Sequence, residues 1–277
     1  MGGQGRWGAR AAIAVSLGLA LFPVYWITLT AFRPRNEIFR APPALLPGPL
    51  TLENIRTVWF GTSTNPAVLP FLLDSLLVAG ASTLIAVALG VMAAYAIGRR
   101  RTGGGVLSMW ILSQRFMPAV AIVVPLFVLF SGLRLHDTYA GLIAIYAAMN
   151  LPLAVWLMLG YVEGLPRELE EAAAVDGASP ARTFVSVVLP LLRPGIAVAS
   201  MFVFIGAWNE YLLAYQLAGD EVAPVTVYLP RLRTAIAPLY GEIAAASLLS
   251  VLPSLLFAGI LQRHLLRGLT FGGGRES

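Results

Sequence analysis

The sequence predicts an all-α integral membrane protein with six transmembrane helices and a cytoplasmic helix-Gly-helix loop between the fourth and fifth. Composition is the first observation behind this. Of 277 residues, 58% are hydrophobic and 12% charged, with a mean hydropathy of +0.77; a soluble domain has about 45–50% apolar and about 25% charged residues. The second is a set of uncharged runs at 11–32, 75–98, 138–162 and 243–262, which hold 22, 24, 25 and 20 residues. Each reaches the ~20 residues that a helix needs to cross the hydrocarbon core. Two further runs carry one ionisable group each, Arg115 within 102–133 and Glu210 within 194–219. Lipid offers backbone N–H and C=O groups no partner, so all six runs are expected to fold as helices.

In chain order, residues 1–10 form an N-terminal segment and 11–32 the first span. That apolar run exceeds the ~7–15 residues of a signal-peptide core and no small-x-small site follows it, so the helix is expected to be retained. The first outer loop, 33–70, holds the breakers Pro42-Pro43 and Pro47-Gly48-Pro49; it is expected to be ordered by turns, without a helix of its own, and to offer a docking surface. The second span, 71–98, ends at Arg99-Arg100-Arg101. The third is 102–133 and the fourth 138–162, the latter carrying Asn150 and Pro152. A loop over 163–193 leads to the fifth span, 194–218. The second outer loop, 219–241, contains Gly219-Asp220-Glu221 with Pro224, Pro230 and Pro238. The sixth span is 242–263, followed by a tail over 264–277. With the N-terminus inside, eleven of the 19 arginines face the cytoplasm and seven lie outside. The tight arginine turn weighs most, because short loops obey the positive-inside rule best. Both termini are therefore expected in the cytoplasm.

Every basic residue is Arg, and Cys is absent. That excludes a phosphate-loop lysine, a Schiff-base lysine, thiolate metal sites and cysteine nucleophiles. His136 and His264 are the two histidines, too few for a histidine metal cluster, and both are expected to be solvated at helix ends. No catalytic residue, metal site or cofactor is expected on this chain. The net charge of +5 and pI near 9.9 are read as orienting a membrane protein, not as a nucleic-acid surface, since the arginines sit between apolar runs.

The loop over 163–193 is the most informative stretch. Residues 165–175 read as a short helix with Pro166 at its start and Glu168, Glu170 and Glu171 in its first turns, where carboxylates suit the dipole. Asp176-Gly177 stops it, because Gly accepts the left-handed conformation of a helix end. Ser179 then caps and Pro180 opens a second helix that runs to Leu189-Pro190. Neither helix can span. Their apolar faces, with Leu169, Ala172, Ala173, Phe184, Val185 and Val188, are expected to rest on the transmembrane helices or on another protein.

Glu171-Ala172-Ala173, three residues, Gly177, nine residues, Val187, one residue, Leu189-Pro190 resembles the EAA loop of bacterial ABC importer permeases, with Val187 in place of the usual Ile. Asp176-Gly177-Ala178, Pro194-Gly195, Trp208-Asn209-Glu210-Tyr211 and Arg267-Gly268-Leu269-Thr270 are similar to the carbohydrate-type permeases of that family. The resemblance implies a non-enzymatic subunit of the bacterial inner membrane. A second permease, homologue or copy, would complete the pathway. Two cytoplasmic ATPases would dock on the EAA loops and hold ATP and Mg, and an extracytoplasmic substrate-binding protein would deliver a sugar or polyol to the 216–241 side. Coupling would fall to Glu171, Ala172, Ala173, Gly177, Leu189 and Pro190, with Asp176 serving either coupling or helix termination.

Arg115 and Glu210 lie within spanning segments, where a charge costs roughly 2.5–3.5 kcal/mol on insertion scales and marks a cavity or a pair. At 1.5 Å per residue they stand about 20 Å and about 24 Å from the cytoplasmic side, so they either pair or are held separately. Arg115 would then snorkel or cap carbonyls near Pro118, and Glu210 would make a structural hydrogen bond at the outer interface. Trp208 and Tyr211 are either interfacial aromatics or sugar-stacking rings beside the acceptors Asn209 and Glu210. Asn150 lines the pathway or joins helices. A rival class, an ion- or proton-coupled secondary transporter, would use Arg115 and Glu210 as its coupling site.

Overall fold

Apolar runs become long helices, and proline or glycine decides where each is interrupted. A computed structural model describes the backbone of residues 3–42, 44–233 and 239–272, and the side chains of 8–42, 44–233 and 239–261. The 1–10 and 264–277 segments therefore fall partly outside the described residues, and the side chains of His264 and Arg267 lie outside them. The helices are α1 (Gly3–Ala31), α2 (Arg35–Ile38), α3 (Glu53–Phe60), α4 (Val68–Arg100), α5 (Gly104–Ser113), α6 (Ala119–Gly132), α7 (Tyr139–Glu163), α8 (Glu168–Val175), α9 (Pro180–Thr183), α10 (Leu189–Leu191), α11 (Arg193–Trp208), α12 (Leu212–Leu217), α13 (Val225–Tyr228) and α14 (Tyr240–Gly272). Among the described residues four helical stretches are individually long and apolar enough to cross a membrane: Gly8–Ala31, Val68–Arg100, Tyr139–Glu163 and Tyr240–Leu261.

The chain divides into two compact units. In the first, residues 1–72 and 228–252, the loop over 33–70 is folded back on the end of α1. Asn54, buried on α3, donates to Ala31 O at 3.0 Å and Arg33 O at 2.8 Å, and Thr51 N–H donates to Phe32 O at 2.7 Å. The buried Arg33 guanidinium donates to Ala44 O and Leu46 O and lies over the Trp26 ring. Here the sequence expectation of a loop without a helix is corrected. The proline breakers end at Pro49, and beyond them Asn54 and Val58, four residues apart, bury one face of α3.

The second unit, residues 73–227 and 253–277, is built on α4, α7 and α11. Ala86, Gly90, Ala94 and Gly98 recur every fourth residue of α4, a small-residue stripe of the kind that lets membrane helices approach closely. A Cβ at Gly90 would stand 2.7 Å from Ala154 Cβ of α7, and one at Gly195 of α11 would stand 2.5 Å from the Tyr161 ring. Val91, Met158, Val188, Leu192 and Val203 fill the core so formed.

Residues 102–133, expected as one span, instead hold two helices bent by 89°. Met117 is extended (φ −69°, ψ 123°) because the ring of Pro118 excludes the helical region for the residue before it. Residues 194–218 are likewise interrupted, since α11 stops at Trp208 and α12 begins at Leu212. Arg115 and Glu210, the charges within these two apolar runs, sit next to the breaks.

Candidate functional site

The helix-Gly-helix loop takes its shape from local chemistry. Helix α8 ends in a paired C-cap: Gly177 N–H donates to Ala174 O at 3.0 Å and Ala178 N–H to Ala173 O at 2.9 Å. Gly177 has φ +82°, and nothing lies within 4 Å of a Cβ built there, so the backbone alone demands glycine. Ser179 Oγ accepts Arg182 N–H at 3.4 Å and Pro180 opens α9. The turn over Phe184–Val188 is a π-turn, with Leu189 N–H reaching Phe184 O, because Pro190 has no N–H to continue the α ladder.

Glu170, read from sequence only as one of three carboxylates that suit the helix dipole, is the residue that fastens this loop. Its Oε1 lies 2.6 Å from Arg99 Nε, and its Oε2 accepts Tyr95 OH at 2.8 Å. Arg99 Nη2 also donates to Leu165 O at 2.6 Å, and the Tyr95 and Phe184 rings meet at 4.9 Å. The end of α4 thus grips α8, the stretch before it and the turn after α9. With α8 held on its Glu170 side, Glu171, Ala172, Asp176 and Gly177 are exposed, while Ala173, Leu189 and Pro190 are half-buried. Of the apolar residues expected to rest on the spanning helices or on another protein, Phe184 and Val188 pack within this chain, whereas Leu169, Ala172 and Val185 face outward beside Val175, which is 89% exposed. An apolar edge that no described residue covers therefore flanks the motif.

Three of the six pathway candidates, Arg115, Asn150 and Glu210, meet on one turn of α7. Arg115 Nη1 donates to Met149 O at 3.2 Å; Asn150 Nδ2 donates to Tyr146 O at 2.9 Å; Tyr146 OH donates to Glu210 O at 3.3 Å. Asn150 is buried, its Oδ1 is without a hydrogen-bond partner among the described residues, and a Cβ on Gly206 would come within 2.9 Å of that oxygen. Glu210 Oε1 accepts Leu213 N–H at 3.0 Å and so caps α12, while its backbone oxygen also accepts Thr226 Oγ1 at 2.9 Å. Among the described residues no ion pair joins Arg115 to Glu210. Trp208 is buried with its ring 5.6 Å from Phe204, whereas Asn209 and Tyr211 are exposed.

A third constellation escaped the sequence reading. Asp137 accepts backbone N–H groups from Asp220 (3.0 Å), Glu221 (3.2 Å) and Val222 (3.0 Å). Asp74 accepts Tyr139 OH at 2.6 Å and Ala223 N–H at 2.9 Å, and Ser75 Oγ accepts Val225 N–H at 2.7 Å. Burial pushes the Asp137 carboxyl up, but the N–H donors of 219–222 outweigh it and hold the group below its ordinary value. Residues 219–225 are stapled in this way to the N-terminal ends of α4 and α7. His136, whose ring meets Phe127 edge-on at 5.3 Å, lies beside this staple.

Residues 86–271 match the family model described as "Binding-protein-dependent transport system inner membrane component". The chain is 35% identical over 260 residues to the trehalose transport system permease protein SugB of Mycobacterium tuberculosis, covering 92% of this chain and 93% of that protein. It is 33% identical over 259 residues to the trehalose/maltose transport system permease protein MalG of Thermococcus litoralis, covering 92% and 91%. Its fold matches a chain in the crystal structure of a bacterial ABC transporter that imports the acidic polysaccharide alginate, with a TM-score of 0.76 and 21% identity over 93% and 95% of the two chains. With the EAA spacing on an exposed loop and the family model covering most of the sequence, the chain belongs to the inner-membrane permeases of binding-protein-dependent ABC transport systems.

Proposed function

We propose that this chain forms half of the translocation pathway of a bacterial importer for a sugar or polyol, with both termini cytoplasmic, and performs no covalent chemistry itself. The trehalose, maltose and diacetylchitobiose systems named among its relatives support the carbohydrate class. Six crossings follow if α5 with α6 forms the third and α11, extended by α12, the fifth. ATP and Mg belong to two separate ATPase subunits, a second permease completes the pathway, and the extracytoplasmic binding protein meets the stapled 219–225 side.

The observation that carries the reading is how the motif is displayed. Arg99 and Tyr95 fix α8 through Glu170, which leaves Glu171 and the apolar edge of Leu169, Val175 and Val185 turned outward, an edge suited to docking a protein. Gly177 sets the angle between α8 and α9, so strain there falls on the docking surface. A Cβ in the left-handed region costs roughly 1–2 kcal/mol, and a β-branched residue more. Gly177→Val should insert normally and retain the partner permease, yet lose stimulated ATP hydrolysis and uptake, with Gly177→Ala intermediate. Normal stimulated hydrolysis in the Val variant would overturn the coupling role. In a secondary transporter, by contrast, uptake would survive removal of the ATPase and collapse with an uncoupler.

A further inference from the structure

The arginine end of α4 and the start of α5 enclose a cavity of about 430 Å³, lined by Arg99, Arg101, Gly105, Ser108, Glu163 and Arg167 among others. Three guanidinium groups there face one carboxylate. Arg99 is committed to Glu170 and Leu165 O, but no described ion pair or side-chain hydrogen bond engages Arg101 or Arg167. Arg101 is also one of the few non-glycine residues held at positive φ among the described residues, +52°, two positions before the pair Gly103 (+72°) and Gly104 (+58°). A long side chain kept on a backbone that favours glycine is a sign that the side chain itself is used.

We propose that this cavity is an anion site that holds a phosphate group between Arg101 and Arg167, supplied by an anionic lipid headgroup or by a soluble phosphorylated molecule. Guanidinium forks match phosphate oxygens in pairs and are more weakly hydrated than ammonium groups, so they retain such a ligand at a wet interface. The first turn of α5 has no acidic residue and no side-chain cap, which adds the positive end of its dipole. In the six-crossing topology proposed above, the cavity, at the end of the uncharged run of α4, falls at headgroup level. Val106, Met109 and Trp110 of α5 stand exposed beside it, ready to meet acyl chains. Arg167 also leads into α8, so an occupied cavity would tie the coupling loop to the bilayer surface.

The site rests on the cytoplasmic orientation proposed above, which labelling of Thr102→Cys reads independently. The assembled transporter is reconstituted in nanodiscs of phosphatidylcholine, with or without phosphatidylglycerol, and retained lipid is counted by native mass spectrometry after detergent release. Wild type should retain phosphatidylglycerol in preference to phosphatidylcholine. The double variant Arg101→Gln, Arg167→Gln should weaken that retention by about thirtyfold, from about 1 kcal/mol per arginine. Arg101→Gly, which preserves the left-handed backbone, should lose part of it, and Arg56→Gln on the outer loop should lose none. Displacement of the lipid by millimolar inorganic phosphate would assign the site to a soluble phosphate; resistance would assign it to lipid. Equal retention of both lipids by wild type, or undiminished preference in both the double variant and Arg101→Gly, would overturn the proposal.

Discussion

Glu170→Ala isolates the fastening of the coupling loop from the motif beside it. The substitution removes a carboxylate that makes a 2.6 Å ion pair with Arg99 and a 2.8 Å hydrogen bond with Tyr95. It leaves a guanidinium that is 8% exposed with Leu165 O as its remaining recorded acceptor. Breaking a fully buried pair by removing one partner costs about 3–5 kcal/mol. Glu170 is 20% exposed, so solvent screening lowers the expected cost to about 2–3 kcal/mol. Because Glu170 holds α8 and not the spanning helices, that loss appears as local opening. Amide hydrogen exchange across 168–178 in the assembled transporter should accelerate by about 30–150-fold, at tenfold per 1.4 kcal/mol, while α4 and α7 remain unchanged. ATPase co-purification should fall in parallel, and the swap Arg99→Glu with Glu170→Arg should recover part of both. Unchanged exchange over α8 in Glu170→Ala would show that the pair does not position the loop.

Asp137 should act as an acid-sensitive staple. Its carboxyl is held below the ordinary value, so its stabilisation is fully present above the unfolded value of about 3.9 and is lost as pH falls through the folded value. Proteolysis within 219–225 should therefore speed up below about pH 4 in wild type. In Asp137→Ala it should be fast at neutral pH, and likewise in Gly219→Ala, whose Cβ would stand 2.3 Å from Asp137 Oδ2. Arg115→Leu and Glu210→Leu should each impair assembly or uptake, and because the two groups bond to different partners their losses should add within about 0.5 kcal/mol; a double variant markedly less harmed than that would establish a pair. Cysteines placed singly at Thr102 and Glu221, both exposed, should label from opposite faces of the membrane, and labelling from one face would reject the proposed six-crossing topology.

Hydrocarbon admits only backbone that satisfies itself, so each of the four uncharged runs in the sequence already specified a helix, although α4 begins at Val68, ahead of Asp74, and α14 continues past Arg263 to Gly272. The cap at Gly177 was legible for the same reason: a C-cap is decided by the few residues around it. Pro118 announced a disturbance in the third run, but not its 89° bend, with α5 packed on α7 and α6 on α12. Helix α3 was missed because nearby prolines outweighed the weak signal of Asn54 and Val58, which becomes helical by burying those two side chains. What only the tertiary structure decided are the polar fastenings. Arg99 meets Glu170 across 71 positions and Asp137 meets residues 220–222 across 83 to 85. Nothing in the local pattern distinguishes Glu170 from Glu168 or Glu171 before α4 and α8 come together. Helix formation in lipid is settled within a few turns of chain. The choice of which carboxylate is buried against an arginine is settled by the packing of helices distant in sequence, and that packing also leaves Glu171 turned outward while its neighbour is held.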